Sequence, residues 1–325
     1  MEKDIIHYIK TFKKLNINKD KIKGDSPHKP ILLISIAQAY REGYILDNRI
    51  YITPALVGLF KDNWSRLAAT GQHCRFPLPF FHMSNDKPIF WRLIPNSGYE
   101  MVIKLKSQMR SFKVLTVAVD YAQIDDELSK LFLDSESNNA IESFLIGNYF
   151  PNYKNSNYDN SFLDKVSKDI LEDSPIEYNA KIKLLEKALN DSDFEEQKYA
   201  RSHQFKREVV KNYHYSCVIS RLKIDVVGSV SMLDACHIVP FSETYNDTIT
   251  NGISLTPTLH RAFDRGLISI SDEFKVLIKG NFSEVNLSPY SIKQFAGKSI
   301  LLPDHELRLP SREGLANHRQ RFGFV

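Results

Sequence analysis

The chain has 325 residues, 42% of them hydrophobic and 25% charged, with a formal net charge of +4. That length holds two separate cores, and the balance is that of an ordinary globular protein rather than a disordered or fibrous one. No run of 18 apolar residues exists, the start MEKDIIHYIKTFKK lacks the apolar stretch of a secretory signal, and three cysteines without a C-x-x-C pair are too few for a disulfide framework; a cytoplasmic protein with no membrane span is expected.

Residues 2–15 place Ile5, Ile6, Ile9, Phe12 and Leu15 at helical spacing. Asp25-Ser26-Pro27-His28-Lys29-Pro30 then leads into ILLISIAQAYREG, an apolar helix stopped by Gly43. IYIT reads as a short strand, and Thr53-Pro54 caps and opens the helix TPALVGLFKDNWSRLAA. Residues 72–93, QHCRFPLPFFHMSNDKPIFWRL, crowd four Phe, one Trp, three Pro and two His beside Arg75 and Arg92. Such a stretch is either buried packing or a rigid apolar pocket whose flanking cations hold phosphates. VIKLKSQMRSFKVLTVAVD is expected to form strands around a basic turn, and DELSKLFLDSESNNAIESFLIGNYF two short helices closing a first domain at residue 150.

The polar stretch PNYKNSNYDNS (151–161) is linker-like. FLDKVSKDILEDS and IEYNAKIKLLEKALND are charged amphipathic helices, suited to connecting or to a dimer contact. DFEEQKYARSHQFKREVVKNYHYSC is a helix on which Arg201, Lys206, Arg207 and Lys211 can follow a phosphate backbone. Near the C-terminus, LISISDEFKVLIKG reads as two strands about an Asp-Glu turn, and LLPDHELRLPSREGLANHRQRFGF ends on a basic helix. Net charge alternates along the chain: +10 over residues 1–119, −11 over 120–197 and +5 over 198–325. Two basic blocks around an acidic one point to two polyanion-facing domains.

The remaining stretch, LDACHIVPFSETYNDTITNGISLTPTLHRAFDRG (233–266), carries the chemistry. DACHIV is a short apolar strand, Asn251-Gly252 a turn signal, and Thr256-Pro257 a helix start. His260 and Asp264, at i and i+4, face one way on that helix. A strand-borne His opposite a helix-borne His/Asp pair makes a one-metal site for cutting phosphodiesters, with His237 deprotonating a water and the cation stabilising the charge on the phosphate.

His237, Asn251 and His260, with HIVP, NG and the tail HRAFDRG around them, resemble the signature of the HNH nucleases, whose fold is the ββα-metal motif. The resemblance implies His237 as general base, Asn251 as the residue bracing the loop, and His260 as metal ligand. Asp264 matches a second helical ligand of some members. Many members carry Asp or His just before the base; here it is Cys236. A hard cation prefers oxygen, so Asp234, on the same strand face, is the alternative ligand, and Cys236 is the small packed residue. Arg265 joins Arg201 and Arg207 as a candidate DNA contact.

PHKPILL followed by LPFF and FWRL is similar to the N-terminal region of McrA-like restriction endonucleases, which carry a sulfur-binding domain reading phosphorothioated DNA. The resemblance places His28, Lys29 and Pro30, then Pro79, Phe80 and Phe81, then Trp91 and Arg92 on a reader surface, with Arg75 a flanking cation of the same stretch. An insertion, HMSNDKPI, and the lack of a tyrosine before the proline depart from the pattern. Together these imply an α+β protein of two domains: a mostly helical reader with short strands at 1–150, an acidic helical linker at 151–197, and a ββα-metal HNH domain at 198–325. The expected activity is that of a modification-dependent restriction endonuclease, a defence enzyme using Mg²⁺ or Mn²⁺ on double-stranded DNA, possible also as a homodimer. The alternatives are an HNH enzyme reading sequence or methylcytosine, and a non-catalytic DNA-binding protein.

Overall fold

The computed structural model describes residues 4–20, 22, 24–68, 71–104, 108–153, 161–223, 232–280, 282–284 and 291–324. The polar stretch expected to be a linker falls mostly outside them. The fold is mixed α and β with small sheets, and the chain groups into two compact units. One comprises Met1–Lys165 with Glu186–His203, the other Val166–Leu185 with Gln204–Val325. The expected division at residues 150 and 197 differs from this grouping. The acidic helices do not stand apart as a linker, because their apolar positions are consumed in packing.

In the first unit, helix α1 (Ile5–Phe12) starts where the Asp4 carboxylate accepts the His7 amide. A short ladder, β1 (Lys19–Asp20) with β2 (Gly24–Asp25), precedes helix α2 (His28–Arg41). Helix α2 is the centre of the core: residues 28–37 are buried without interruption, and so are Ala39 and Tyr40. It is apolar all round, as a helix covered on every face must be. Strand β3 (Arg49–Tyr51) leads to α3 (Pro54–Leu67), where Thr53 accepts the Leu56 amide and Pro54 occupies the first turn. Helix α4 (Pro77–His82) accommodates two prolines because first-turn residues need no amide donor. Strand β4 (Trp91–Pro95) follows.

Residues 102–118 correct the expected strands. They form 3₁₀ turns at Val102–Lys104 and Gln108–Arg110, then helix α5 (Phe112–Ala118); strand β5 (Val119–Ile124) begins only afterwards. Phe112, Leu115 and Ala118 are the buried positions, a spacing of three that only a helix can bury on one face. β5 lies between β3 and β4 in an antiparallel sheet, pairing Ile50 with Ala122 and Trp91 with Ile124. Helices α6 (Asp126–Leu133) and α7 (Ser135–Tyr149) follow.

Helices α8 (Phe162–Glu172) and α9 (Pro175–Ala188) bury Val166, Ile170, Tyr178 and Ile182. Helix α10 (Asp191–Asn212) belongs to the first unit up to His203 and to the second from Gln204. In the second unit, β6 (Asp234–His237) pairs antiparallel with β7 (Gly252–Leu255), His237 opposite Gly252 and Cys236 opposite Ile253. Between them lie the short helix α11 (Phe241–Thr244) and a 3₁₀ turn, Ile249–Asn251. Helix α12 (Pro257–Asp264) leaves β7 directly. The small ladder of β8 (Ile268–Ile270) and β9 (Val276–Ile278) and helix α13 (Arg312–Phe322) complete the unit.

The Asn251-Gly252 pair is not the expected hairpin turn. Gly252 is extended (φ −120°) and opens β7. Its glycine is required by close approach: a Cβ there would stand 2.3 Å from Val209 Cγ2 and 3.0 Å from Phe205 Cζ on α10. The strand can lie against that helix only without a side chain at this point.

Candidate active site

His237 ends β6 and is partly exposed. Its Nε2 is 2.8 Å from Asp247 Oδ1, and its ring stacks on Phe205, centroids 4.1 Å apart and planes 6° off parallel. Asp247 is buried and also accepts a hydrogen bond from the Tyr178 hydroxyl, 3.3 Å away. A carboxylate only accepts, so Nε2 carries the proton and Nδ1 keeps the basic lone pair. The ring is thus fixed in plane by Phe205 and in rotation by Asp247. Neither partner was legible in the sequence. Asp247 sits in a polar loop, ETYNDTITNG, where no periodicity marks it, and Phe205 lies on a helix 32 residues earlier.

Asn251 is 2% exposed. Its Oδ1 accepts from the Val239 amide, and its Nδ2 donates to the carbonyls of Val239 and Asn246, all at 2.9 Å. Its backbone carbonyl accepts from the Ile238 amide at 2.8 Å. One side chain therefore ties both ends of the loop between β6 and β7, the loop that holds Asp247.

Facing α12, β6 presents Asp234 and Cys236. The donor atoms of Cys236, His260 and Asp264 lie within 4.8 Å of one another. His260 Nε2 is 3.3 Å from Asp264 Oδ2, and Cys236 Sγ is 3.7 Å from Asp264 Oδ1. A thiol, an imidazole and a carboxylate brought this close are a donor set that can hold a divalent cation. The geometry differs from the sequence expectation at two residues. Cys236, fully buried, is more than packing because its sulfur joins the donor group. Asp234 is outside that group: it stands behind His260, with Oδ2 3.4 Å from Nδ1 and Oδ1 3.5 Å from Lys206 Nζ. A carboxylate on the far nitrogen of a ligating histidine orients the ring and raises its basicity. Burial, and then the neighbouring Asp264 carboxylate, push the Cys236 thiol well above its usual pKa, which keeps it protonated until a cation displaces the proton.

Of the candidate DNA contacts in the second unit, Arg207 and Arg265 are exposed. Arg201, assigned to the first unit, is buried at 5% exposure. At the C-terminus His318 is packed. It stacks on Phe263 at 3.7 Å, and its two nitrogens meet Ser269 Oγ and the Phe263 carbonyl.

In the first unit a cavity of about 500 Å³ brings together His28, Lys29, Arg75 and Pro79, and adds Asn16 and Arg110. Arg110 was not singled out by sequence, because only the folded chain carries it to this rim. Lys29 is buried and its charge is met by Asp86 at 2.5 Å. His28 stacks against Trp64, and its nitrogens meet Ser26 Oγ and the His73 carbonyl. Burial lowers its pKa to about 4, so it is neutral. Arg75 lies 3.6 Å from Asp193. Phe80 and Trp91, expected on a reader surface, are core residues at 0% and 1% exposure. Trp91 Nε1 donates to the Phe80 carbonyl, and the two rings pack edge to face. Phe81 is buried at 5%. These aromatic faces are spent on the core, the strongest apolar sink available to them. Arg92 is half exposed and pairs with Asp125 at 3.2 Å.

Residues 217–271 match the family model described as HNH endonuclease. They span β6, β7, α12 and β8, and so contain every donor described above. A solved structure described as a modification dependent TagI restriction endonuclease is similar over 36% of this chain and 37% of that one, with 22% identity and a TM-score of 0.27. The match thus spans little more than a third of each chain. Comparison with curated proteins gives no match. The chain carries an HNH endonuclease domain at 217–271, a nuclease domain of a family that generally uses a divalent metal.

Proposed function

We propose that this protein is a DNA endonuclease that restricts modified DNA in the cytoplasm, the first unit selecting the substrate and the HNH domain cutting it. The supporting observation is the pairing of His237 with buried Asp247 at the end of the strand that also carries Cys236, which faces the α12 donors His260 and Asp264. His237 Nδ1 takes the proton of the attacking water. Asp247 holds the ring and stabilises the imidazolium that results. Asn251 keeps the Asp247 loop in place. Arg207 and Arg265 offer cations to the DNA backbone. A divalent cation, when bound, would supply Lewis acidity at the scissile phosphate; Cys236, His260 and Asp264 would hold it, with Asp234 behind the histidine. His237→Ala should abolish metal-dependent cleavage while leaving DNA affinity within about twofold; cutting by the purified variant would remove the assignment.

The cavity of the first unit supports a reader of modified DNA. Sulfur in place of a phosphate oxygen is larger, more polarisable and less strongly hydrated; Pro79, expected on the reader surface, is buried, and half-buried Leu78 with Arg75 and Arg110 supplies an apolar contact beside a retained charge. A second reading draws on the amides that line the same cavity, Asn16, Asn18, Gln72 and Asn85. Amides hydrogen-bond base edges, so a modified or unmodified base is the alternative target. One HNH site cuts one strand, so a double-strand break takes two copies or two events. The charged helices α8 and α9 are the proposed contact of a homodimer.

A further inference from the structure

We propose that the cation centre is a thiolate–imidazole–carboxylate site, Cys236–His260–Asp264, that takes a borderline transition ion such as Zn²⁺ or Co²⁺ in preference to Mg²⁺. The inference rests on the nuclease reading and specifies its metal. The donor cluster and the engagement of the nearest other carboxylate carry it. The sulfur faces α12: its thiol donates to Asp264 Oδ1 at 3.7 Å, and its donor atom lies within 4.8 Å of those of His260 and Asp264. The donor set itself, one sulfur, one ring nitrogen and one carboxylate oxygen within 4.8 Å of one another, is that of a tetrahedral site for a borderline ion rather than of an all-oxygen cage. Asp234, the oxygen donor that would favour a hard ion, is engaged by His260 Nδ1 and Lys206. It serves as the outer carboxylate that orients the histidine. Three protein donors leave the fourth tetrahedral position open, as a hydrolytic site requires. On binding, the thiol proton leaves to solvent and a sulfur–metal bond replaces the S–H bond.

Magnesium is a poor match for such a set. It demands six oxygen-type ligands and holds its waters tightly, whereas thiolates select softer ions. Burial of Cys236 adds to this, since a bond to a fully desolvated sulfur has no water competing for it.

The test is a Co²⁺ titration of the full-length, chelator-treated protein, followed by absorbance. A sulfur-to-cobalt charge-transfer band in the near ultraviolet, saturating at one equivalent, is expected. Zn²⁺ should discharge it stoichiometrically, and a roughly thousandfold excess of Mg²⁺ should leave it intact. Cys236→Ser should lose the band and bind Co²⁺ at least about tenfold more weakly, while Cys74→Ser and Cys217→Ser keep it. Cys236→Asp should lose the band and gain Mg²⁺ binding. Absence of the band from the unsubstituted protein overturns the proposal without reliance on any variant, as does its persistence in Cys236→Ser or its displacement by equimolar Mg²⁺. Mg²⁺-dependent cleavage with no thiolate band removes this proposal and leaves the nuclease reading standing. A thiolate band with no cleavage in any metal does the reverse.

Discussion

Asp247 is the residue whose role is clearest from its contacts. It is buried, accepts from the Tyr178 hydroxyl, and faces His237 Nε2 at 2.8 Å. Asp247→Asn keeps the size but offers an amide that can present N–H where the carboxylate accepted, favouring the wrong tautomer of His237. Single-turnover cleavage should fall by about 10²–10³, a range set by the worth of a positioned base, with DNA affinity unchanged. Tyr178→Phe removes only one bond to Asp247 and should cost less than about tenfold. Equal rates for Asp247→Asn and the unsubstituted protein would show that the pair does not position the base.

Elements meet in the second unit through close contacts that leave no slack. Strand β7 lies against α10 only because Gly252 has no side chain, with Val209 Cγ2 2.3 Å from where a Cβ would be. Gly252→Ala should destabilise the unit by roughly 1–3 kcal/mol, the usual cost of overpacking. Adding Val209→Ala should recover part of that loss, a coupling that chemical denaturation of the single and double variants can read. Helix α13 is locked to α12 and β8 by His318, which meets the Phe263 carbonyl and Ser269. Burial lowers its pKa to about 4, as it does for His28 at the start of α2. Both groups bind a proton more readily unfolded, near pH 6.5, than folded. The stability they contribute is therefore full above about pH 6.5 and is lost as pH falls toward 4, by up to about 1.4 kcal/mol per pH unit for each histidine. Thermal melts at pH 7, 5.5 and 4.5 should show the midpoint dropping. His318→Gln, though less stable at pH 7, should show a shallower slope; an unchanged slope would exclude the histidine as its source.

Across the whole molecule, the acidic stretch at 120–197 is partly answered within the units. Glu196 meets Lys61 at 2.7 Å in the core, and Asp169 and Asp173 share Lys181. The alternating charge seen along the chain is therefore partly a packing pattern and only partly a surface field. Among the described residues no helix is long and apolar enough to cross a membrane. The proposed selection of modified DNA belongs to this scale, since it needs both reading and cutting. Digestion of unmodified, phosphorothioated and cytosine-methylated plasmid by the same preparation should cut one modified form at least tenfold faster than the unmodified one, through an open-circle intermediate if each site acts alone. Equal cleavage of all three would remove the reader.

The sequence by itself determined the ββα order at 233–266, the placing of His260 and Asp264 on one helix face, and the buried apolar character of α2. These are local properties: periodicity, caps and a motif of fixed spacing carry them. It did not determine that Phe112–Ala118 is helical, that Asn251-Gly252 enters a strand, that Phe80 and Trp91 are core, or that Cys236 rather than Asp234 clusters with His260 and Asp264. Each of those depends on what packs against the residue from a distant part of the chain. Phe205 and Val209 decide the backbone at Gly252, and the hydrophobic core of the first unit claims the aromatics. Burial and side-chain direction arise from long-range packing, which a string of residues does not encode locally. The tertiary structure alone therefore joined Asp247 and Phe205 to His237 and turned a buried thiol toward a histidine and a carboxylate on the facing helix.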